Sequence, residues 1–263
     1  MVPPNMTSPR WKLPELPSSN GDVPSIDGRL MIEADRIATD RIGFSLLQMM
    51  ENAGHQLAEL TRLTLGSSVA GRRIVVLAGT GDNAGGGLVA ARRLAGWGAH
   101  VCVAFAHPIL RLRPAPCAQV EPLLAAGVRA VVAGHDRSHD ELRGEIDHAD
   151  AVIDSLIGYS LRGAPDDVYR PLIEMAGAGA GAVLSLDVPS GIDATTGARP
   201  GAAVSADATL ALALPKRGMS IGEGARHTGA RYVADIGIPA SVFTELGVPV
   251  DGLFDAGPLL RIG

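Results

Sequence analysis

Three short polar segments each follow an apolar run that has the length of a buried β-strand. The first is GTGDNAGGG at residues 79–87, the second begins at Asp154, and the third is DVPSG at residues 187–191. In a parallel sheet the carboxyl ends of the strands share one edge, and ligands bind outside that edge. We therefore expect glycine backbone, carboxylates and a hydroxyl group to meet at one site.

The glycine-rich segment has more than one interpretation. Gly79, Gly81 and Ala84 fit the spacing of a dinucleotide-binding turn. Such a turn needs a carboxylate at the end of the next strand to hold the ribose, but residues 104–107 read AFAH. The segment also lacks the Gly-Lys-Ser/Thr ending of a P-loop. An NAD-dependent dehydrogenase is therefore disfavoured. A second interpretation remains: the glycines form a turn whose only role is to let a helix pack closely on the sheet.

Hydrophobic periodicity predicts alternating strands and helices that would position these segments. Two helices separated by Gly43 and Ser45 are expected over residues 30–63, because apolar residues recur there at helical spacing. Strands that are apolar on both faces predict an α/β fold with a mostly parallel sheet, covered by helices on both sides. The expected strands are 74–78, 100–106, 128–132, 151–153, 182–186, 208–214 and 231–236, and the later helices are 85–97, 115–126, 135–146 and 166–177.

Composition excludes several classes of protein. A net charge of −5 argues against a nucleic-acid partner, and two cysteines cannot build a disulfide framework or a cysteine-based zinc site. No apolar stretch approaches the length of a membrane span. We expect a cytoplasmic protein without nucleic-acid or membrane partners. It would have a mobile proline-rich tail at residues 1–25 and one domain over residues 26–263.

Longer motifs resemble the YjeF N-terminal domain family, the NAD(P)HX epimerases. Residues 33–54 (EADRIATDRIGFSLLQMMENAG) are similar to the family's opening motif, and residues 75–105 contain a match to its glycine-rich motif. Residues 186–197 (LDVPSGIDATTG) resemble a third motif, and the resemblance extends from about residue 29 to about residue 248. It implies a Rossmann-like three-layer αβα sandwich. The implied activity is epimerisation of hydrated NADH and NADPH (NADHX and NADPHX), in which water has added to the nicotinamide ring.

The resemblance also implies a set of site residues and partners. Asp187 would be the acid–base residue, and Lys216 would support the structure or contact the substrate. A potassium ion would be held by Asn83, Asp154 and Ser190. The implied partners are a second copy of the chain, in a homodimer, and a separate ADP/ATP-dependent dehydratase that repairs the S form. The substrate-binding residues would be Asp82, Asn83, Ala84, Gly85, Gly86, Gly158, Tyr159, Ser160, Leu161, Arg162, Gly163, Ala164 and Asp187.

Simpler roles and departures from the family motif leave alternatives open. Asp154 and Ser190 could cap a turn or a helix, and Asp187 could hold its own turn. In the glycine-rich segment Gly86 replaces a family Asp and Asp82 replaces an Asn. Asp82 could substitute for the missing carboxylate or repel a pyrophosphate. Ala84 replaces a family glycine, and alanine has a narrower range of allowed backbone angles. The alternative function is a catalytically silent dimer of the same fold that binds a nucleotide-like ligand or acts as a scaffold.

Overall fold

The computed structural model describes residues 11–19, 22–179 and 181–263, which form one sheet with helices on both faces. The strands are β1 Arg73–Ala78, β2 His100–Phe105, β3 Arg129–Val132, β4 Ala151–Ser155, β5 Ala182–Leu186, β6 Ala208–Leu212, β7 Ala230–Ala234 and β8 Leu259–Ile262. The helices are α1 Gly28–Arg36, α2 Leu46–Thr64, α3 Asp82–Gly96, α4 Pro114–Ala118, α5 Val120–Ala125, α6 His139–Asp147, α7 Tyr169–Ala176, α8 Gly222–His227 and α9 Ala240–Glu245.

The sheet has the strand order β3-β2-β1-β4-β5-β6-β7-β8. All neighbouring strands are parallel except β7 and β8, which confirms the predicted mostly parallel α/β fold. After β1 the chain adds β2 and β3 on one side, and from β4 onward it adds strands on the other side. This change of direction opens a crevice beyond the carboxyl ends of β1 and β4, where ligands bind in such folds.

The two faces of the sheet pack against different helices. Along β1, Ile74 and Val76 belong to a core cluster that includes Leu57 of α2 and Leu88 of α3. The intervening Val75 and Leu77 belong to a second cluster, which contains Leu142 of α6 and Leu172 of α7. Because successive strand residues point to opposite faces, the sheet is covered on both sides. The three-layer αβα sandwich is confirmed.

The helices before β1 break where the sequence predicts. α1 continues as a π-helical segment, Ile37–Ile42, and ends at Gly43, which has a left-handed φ of 78°. α2 then begins with a capping box, in which the Ser45 side chain accepts from Gln48 N (3.3 Å) and Gln48 Oε1 accepts from Ser45 N (2.8 Å). This arrangement satisfies backbone N–H groups that a helix start leaves free, and it fixes where α2 begins.

Several boundaries and elements differ from the prediction, among them the following. α3 begins at Asp82 rather than at residue 85, so Asp82–Gly87 lie in its first turns and Gly81 is the N-cap. The helix expected at 115–126 is divided into α4 and α5, because Pro122 has no N–H to donate to the carbonyl of Ala118. β8 was not predicted, since four residues are too few for a recognisable apolar alternation.

Part of the expected N-terminal tail lies against the domain. Residues 1–10, 20 and 21 are outside the described residues. Over 11–19 the chain follows the edge strand β8: Arg261 N donates to Pro17 O (3.0 Å), and the Tyr232 hydroxyl donates to Pro14 O (2.9 Å). Leu13 also packs against the core. These contacts hold residues 11–19 against the sheet instead of leaving them as a separate tail.

A membrane-crossing helix is not present in the described part of the chain, where every helix is too short or too polar to span a bilayer.

Candidate active site

A cavity of about 530 Å³ lies beyond the carboxyl ends of β1, β4 and β5, at the change of direction in the strand order. The segments that follow these strands line it, so the polar segments singled out in the sequence do meet at one edge. Ala84, Gly85 and Gly163 do not line the cavity. The expected substrate-binding residues that do line it are Asp82, Asn83, Gly86, Gly158, Tyr159, Ser160, Leu161, Arg162, Ala164 and Asp187.

Asp187 and Lys216 form a buried ion pair in the cavity lining. Asp187 is 2 % exposed and Lys216 0 %. Asp187 Oδ2 accepts from Tyr159 N (3.0 Å), and Oδ1 contacts the Lys216 ammonium, although it accepts no hydrogen bond within the described residues. The ammonium donates to the carbonyls of Leu212 (2.8 Å) and Leu214 (3.1 Å). One carboxylate oxygen is therefore held by a backbone N–H, and the other faces the Lys216 ammonium, with which it can exchange a proton.

The backbone at Asp187 is strained. Its φ is +71°, in the left-handed region that few residues other than glycine adopt. Such conformations cost about 1–3 kcal/mol and persist where the surrounding structure enforces them, often at functional sites. The carboxylate contacts Tyr159 N and the Lys216 ammonium, and among the described residues it has no hydrogen bond to the turn at 189–191. The alternative in which Asp187 holds its own turn is therefore wrong.

Asp154 holds that turn instead. Its carboxylate is fully buried and accepts from Ser190 N (2.9 Å), Ser190 Oγ (2.5 Å), Ser185 Oγ (2.8 Å) and Leu156 N (3.2 Å). Ser190 Oγ in turn accepts from Ile157 N (2.8 Å), which joins the segments after β4 and β5. All these donors are neutral, and burial raises the pKa of Asp154 above its ordinary value.

Asn83 lies beside this cluster without being part of it. Its Nδ2 donates to Leu186 O (3.2 Å), and its Oδ1 accepts no hydrogen bond from the described residues. A Cβ atom placed on Gly158 would be 3.2 Å from Asn83 Cγ and 3.3 Å from Asp187 Oδ2, so only a glycine fits between these two side chains without displacing them. Asp154 and Ser190 are thus in direct contact, and no hydrogen bond joins either of them to Asn83 among the described contacts.

The residues that depart from the family motif have specific neighbours. Asp82 Oδ2 accepts from Arg113 Nη1 (2.8 Å), so an arginine balances the additional carboxylate. A Cβ on Gly86 would lie 2.8 Å from Leu186 Cδ2, and a side chain there would have to displace that leucine. Ala84 is buried in the regular helical backbone of α3, so the narrower range of backbone angles that alanine has relative to glycine causes no strain at this position.

Asp35 on α1 is a site residue that the sequence analysis missed. The Tyr159 hydroxyl donates to Asp35 Oδ2 (2.5 Å), and the Lys216 ammonium lies over the Tyr159 ring, 5.8 Å from its centroid. Burial is the main cause that raises the pKa of Asp35 from 3.8 to about 6. Burial also raises the pKa of Tyr159. The acidic opening motif at residues 33–35 was the available signal, but its helical period did not show which carboxylate faces the cavity.

The remaining cavity wall combines polar and apolar side chains. The Tyr169 hydroxyl accepts from Thr80 N (3.3 Å) and fixes the start of the glycine-rich segment. Met49 and Met50 of α2, expected in the core or at a dimer contact, line the wall. The described residues contain no cluster of three or more His, Cys, Asp or Glu that could hold a metal. The cavity thus has apolar side chains from α2 in its wall and the Asp187–Lys216 pair in its lining.

Comparison with known proteins identifies relatives of this chain. The family model described as YjeF-related protein N-terminus matches residues 46–218. The NAD(P)H-hydrate epimerase of Dehalogenimonas lykanthroporepellens is 44% identical over 234 residues, which cover 89% of this chain and 90% of that protein. The bifunctional NAD(P)H-hydrate repair enzyme of Thermofilum pendens is 33% identical over 82% of this chain. The matched region is only 41% of the length of that enzyme.

A solved structure shows the same fold. The crystal structure of yeast ynu0 matches with a TM-score of 0.76 and 22% identity, covering 91% of this chain and 100% of that one. This likeness extends over nearly all of the three-layer sandwich described above.

Proposed function

The chain belongs to the YjeF-related protein N-terminus family, and from that premise we propose that it is an NAD(P)H-hydrate epimerase. It interconverts the R and S forms of hydrated NADH and NADPH. The observation that carries this proposal is the buried Asp187–Lys216 pair in the lining of a cavity at the change of strand direction. An acid and a base in contact can donate the proton that departure of a hydroxyl takes up and accept the proton that addition of water releases.

The pair can supply a balanced inversion. The carbon that carries the added hydroxyl is inverted when the hydroxyl leaves as water and another water adds to the opposite face. Departure takes up one proton, which the Lys216 ammonium donates. Addition releases one proton, which Asp187 accepts through Oδ1, and transfer between the contacting groups restores both. Tyr159 N–H keeps Asp187 Oδ2 in place during these steps.

We propose that a potassium ion is bound next to this site, with oxygen ligands from Asn83, Asp154 and Ser190. The Asp154 carboxylate is buried among neutral donors, and a buried charge without a counter-charge is costly, so this donor set fits a cation. The free Oδ1 of Asn83 adds an amide oxygen. Bound there, the ion supplies positive charge that favours ionised Asp154 and attracts an anionic substrate.

We further propose a homodimer and a dehydratase partner that takes the S form. The bifunctional relatives support the second part, because epimerase-like sequence occurs there within a longer repair enzyme. The dimer is tested by light scattering, where a homodimer has twice the 27.1 kDa mass of one chain.

The epimerase is tested by adding purified protein to separated R epimer of NADHX or NADPHX and following the S epimer by chromatography. We expect exchange well above the spontaneous rate. Correctly folded protein that causes no acceleration would contradict this function. It would favour the silent, ligand-binding alternative, for which Gly86 in place of the family Asp is the supporting observation.

A further inference from the structure

Tyr159 contacts both members of the acid–base pair and also a carboxylate outside it. Its backbone N–H donates to Asp187 Oδ2 (3.0 Å), and its ring lies 5.8 Å from the Lys216 ammonium. Its hydroxyl donates to Asp35 Oδ2 (2.5 Å). The tyrosine follows β4, whereas Asp35 comes from α1, more than a hundred residues earlier in the chain. One side chain therefore joins a distant helix to the segment that positions the acid–base pair.

We propose that Asp35 is a positioning residue for the epimerisation: by accepting the hydrogen bond of the Tyr159 hydroxyl, it fixes the segment after β4 and thereby the Asp187 carboxylate and the Lys216 ammonium. This inference rests on the proposed function. Asp35 acts through Tyr159 and does not itself exchange protons with the substrate.

The helix that carries Asp35 is firmly placed. Asp27 caps its start by accepting from Leu30 N (2.8 Å), and Gly28 N donates to Thr195 Oγ1 (3.1 Å). The same helix meets the segment after β4 at a second point, because a Cβ on Gly28 would lie 3.4 Å from Tyr159 O. The start of α1 is thus anchored to two other segments, and the Asp35–Tyr159 hydrogen bond connects this helix to the residue that holds Asp187.

The electrostatic surroundings of Asp35 agree with an acceptor role. The groups that influence it are the Tyr159 hydroxyl, the Lys216 ammonium and the carboxylates of Asp187 and Asp82. Two neighbouring carboxylates and burial oppose its negative charge, whereas a carboxyl oxygen accepts from Tyr159 whether or not the group is ionised. The geometry therefore requires an acceptor at this position more than it requires a charge.

The test compares two substitutions of Asp35 in the full chain. Asp35→Asn keeps an oxygen that can accept from Tyr159, and Asp35→Ala removes it. Tyr159→Phe removes the donor with little change in shape and serves if Asp35→Ala does not fold. The matched controls are Glu33→Gln on the same helix and Tyr232→Phe on β7, where the hydroxyl donates to Pro14 O and does not line the cavity.

We expect Asp35→Ala and Tyr159→Phe each to lower kcat by about tenfold or more, because small misplacements of reacting groups are costly, with KM changed less than about twofold. Asp35→Asn should retain kcat within about threefold. The double variant that combines Asp35→Ala with Tyr159→Phe should be no slower than the slower of the two single variants, because both remove the same hydrogen bond. Equal losses for Asp35→Asn and Asp35→Ala would overturn the inference, as would full activity of a folded Asp35→Ala.

Hydrogen exchange of peptides covering residues 157–166 supplies a readout independent of activity. Asp35→Ala and Tyr159→Phe should lose protection there, whereas Asp35→Asn and both controls should not. If the wild type shows no epimerase activity, the proposed function fails, and the exchange data still decide whether Asp35 anchors this segment. Unchanged protection in Asp35→Ala overturns the inference in either case.

Discussion

At the scale of single residues, the site depends on charges that are expensive to bury. The charges of Asp187 and Lys216 are compensated mainly by each other. Removing one partner of such a buried pair commonly lowers the free energy of unfolding by about 3–5 kcal/mol. Asp187 additionally occupies a strained left-handed conformation. A protein that needed only stability would be served as well by apolar residues here. The pair is therefore best explained by its chemistry.

Asp35 should make the folded protein less stable as the pH rises. Burial raises its folded-state pKa from 3.8 to about 6, so the folded state binds this proton more tightly than the unfolded state. The contribution is fully present below the unfolded pKa and is lost as the pH rises through about 6. Two pKa units correspond to about 3 kcal/mol as an upper value.

Urea unfolding at several pH values, with wild type and Asp35→Asn in parallel, measures this effect. The free energy of unfolding of the wild type should fall relative to that of Asp35→Asn between about pH 4 and pH 7, because the variant cannot titrate at this position. Curves for the two proteins that stay parallel over this interval would contradict the assigned direction.

At the scale of elements, the glycines at the start of α3 serve packing as well as ligand access. A Cβ on Gly87 would lie against the Ser155 side chain of β4, so its absence lets α3 approach the sheet. Gly96 at the other end of the same helix has open space around its Cβ position. The two positions therefore separate a packing requirement from helix propensity.

Gly87→Ala should lower the free energy of unfolding by about 1–3 kcal/mol, because the added methyl overpacks a buried contact. Gly96→Ala, the matched control, should raise it by up to about 1 kcal/mol through helix propensity alone. Denaturant unfolding of both variants checks this. A Gly87→Ala protein that is as stable as the wild type would show that α3 does not need this close approach.

The elements could be predicted from sequence where periodicity was strong. The strands β1, β2 and β5 and the break at Gly43 follow directly from apolar patterning and turn residues. The early start of α3 could not be predicted, because a glycine-rich stretch has low helix propensity and only tertiary packing makes it helical. β8 is stabilised by pairing with β7, a contact that no local pattern of four residues reveals.

At the scale of the whole molecule, the strand order determines which residues meet. The change of direction between β1 and β4 brings the glycine-rich segment next to the segment after β4, and β5 adds Asp187. That the carboxylates at the strand ends, Asp154 and Asp187, lie at the same edge of the sheet could therefore be predicted from the sequence. Asp35 and Arg113 were not, since they reach the cavity from α1 and from the chain after β2, at positions that tertiary packing alone determines.

Potassium should stabilise the folded protein if it binds at Asn83, Asp154 and Ser190. A ligand that binds only the folded state adds about 2.7 kcal/mol at a concentration one hundred times its Kd. Thermal unfolding in potassium chloride should show a higher midpoint than in tetramethylammonium chloride of equal ionic strength. Asn83→Ala should abolish the difference, and equal midpoints of the wild type in both salts would contradict the potassium site.

The central claim is that the Asp187–Lys216 pair performs the epimerisation. The most direct measurement is the rate of R-to-S exchange of NADHX for the wild type and Asp187→Asn, prepared together and each checked by circular dichroism to be folded at the assay temperature. Asparagine is chosen because it tolerates the left-handed backbone at this position but cannot act as a base. We predict exchange above the spontaneous rate by the wild type and a loss of at least about a hundredfold in the variant. A folded Asp187→Asn that retains the wild-type rate would contradict the account.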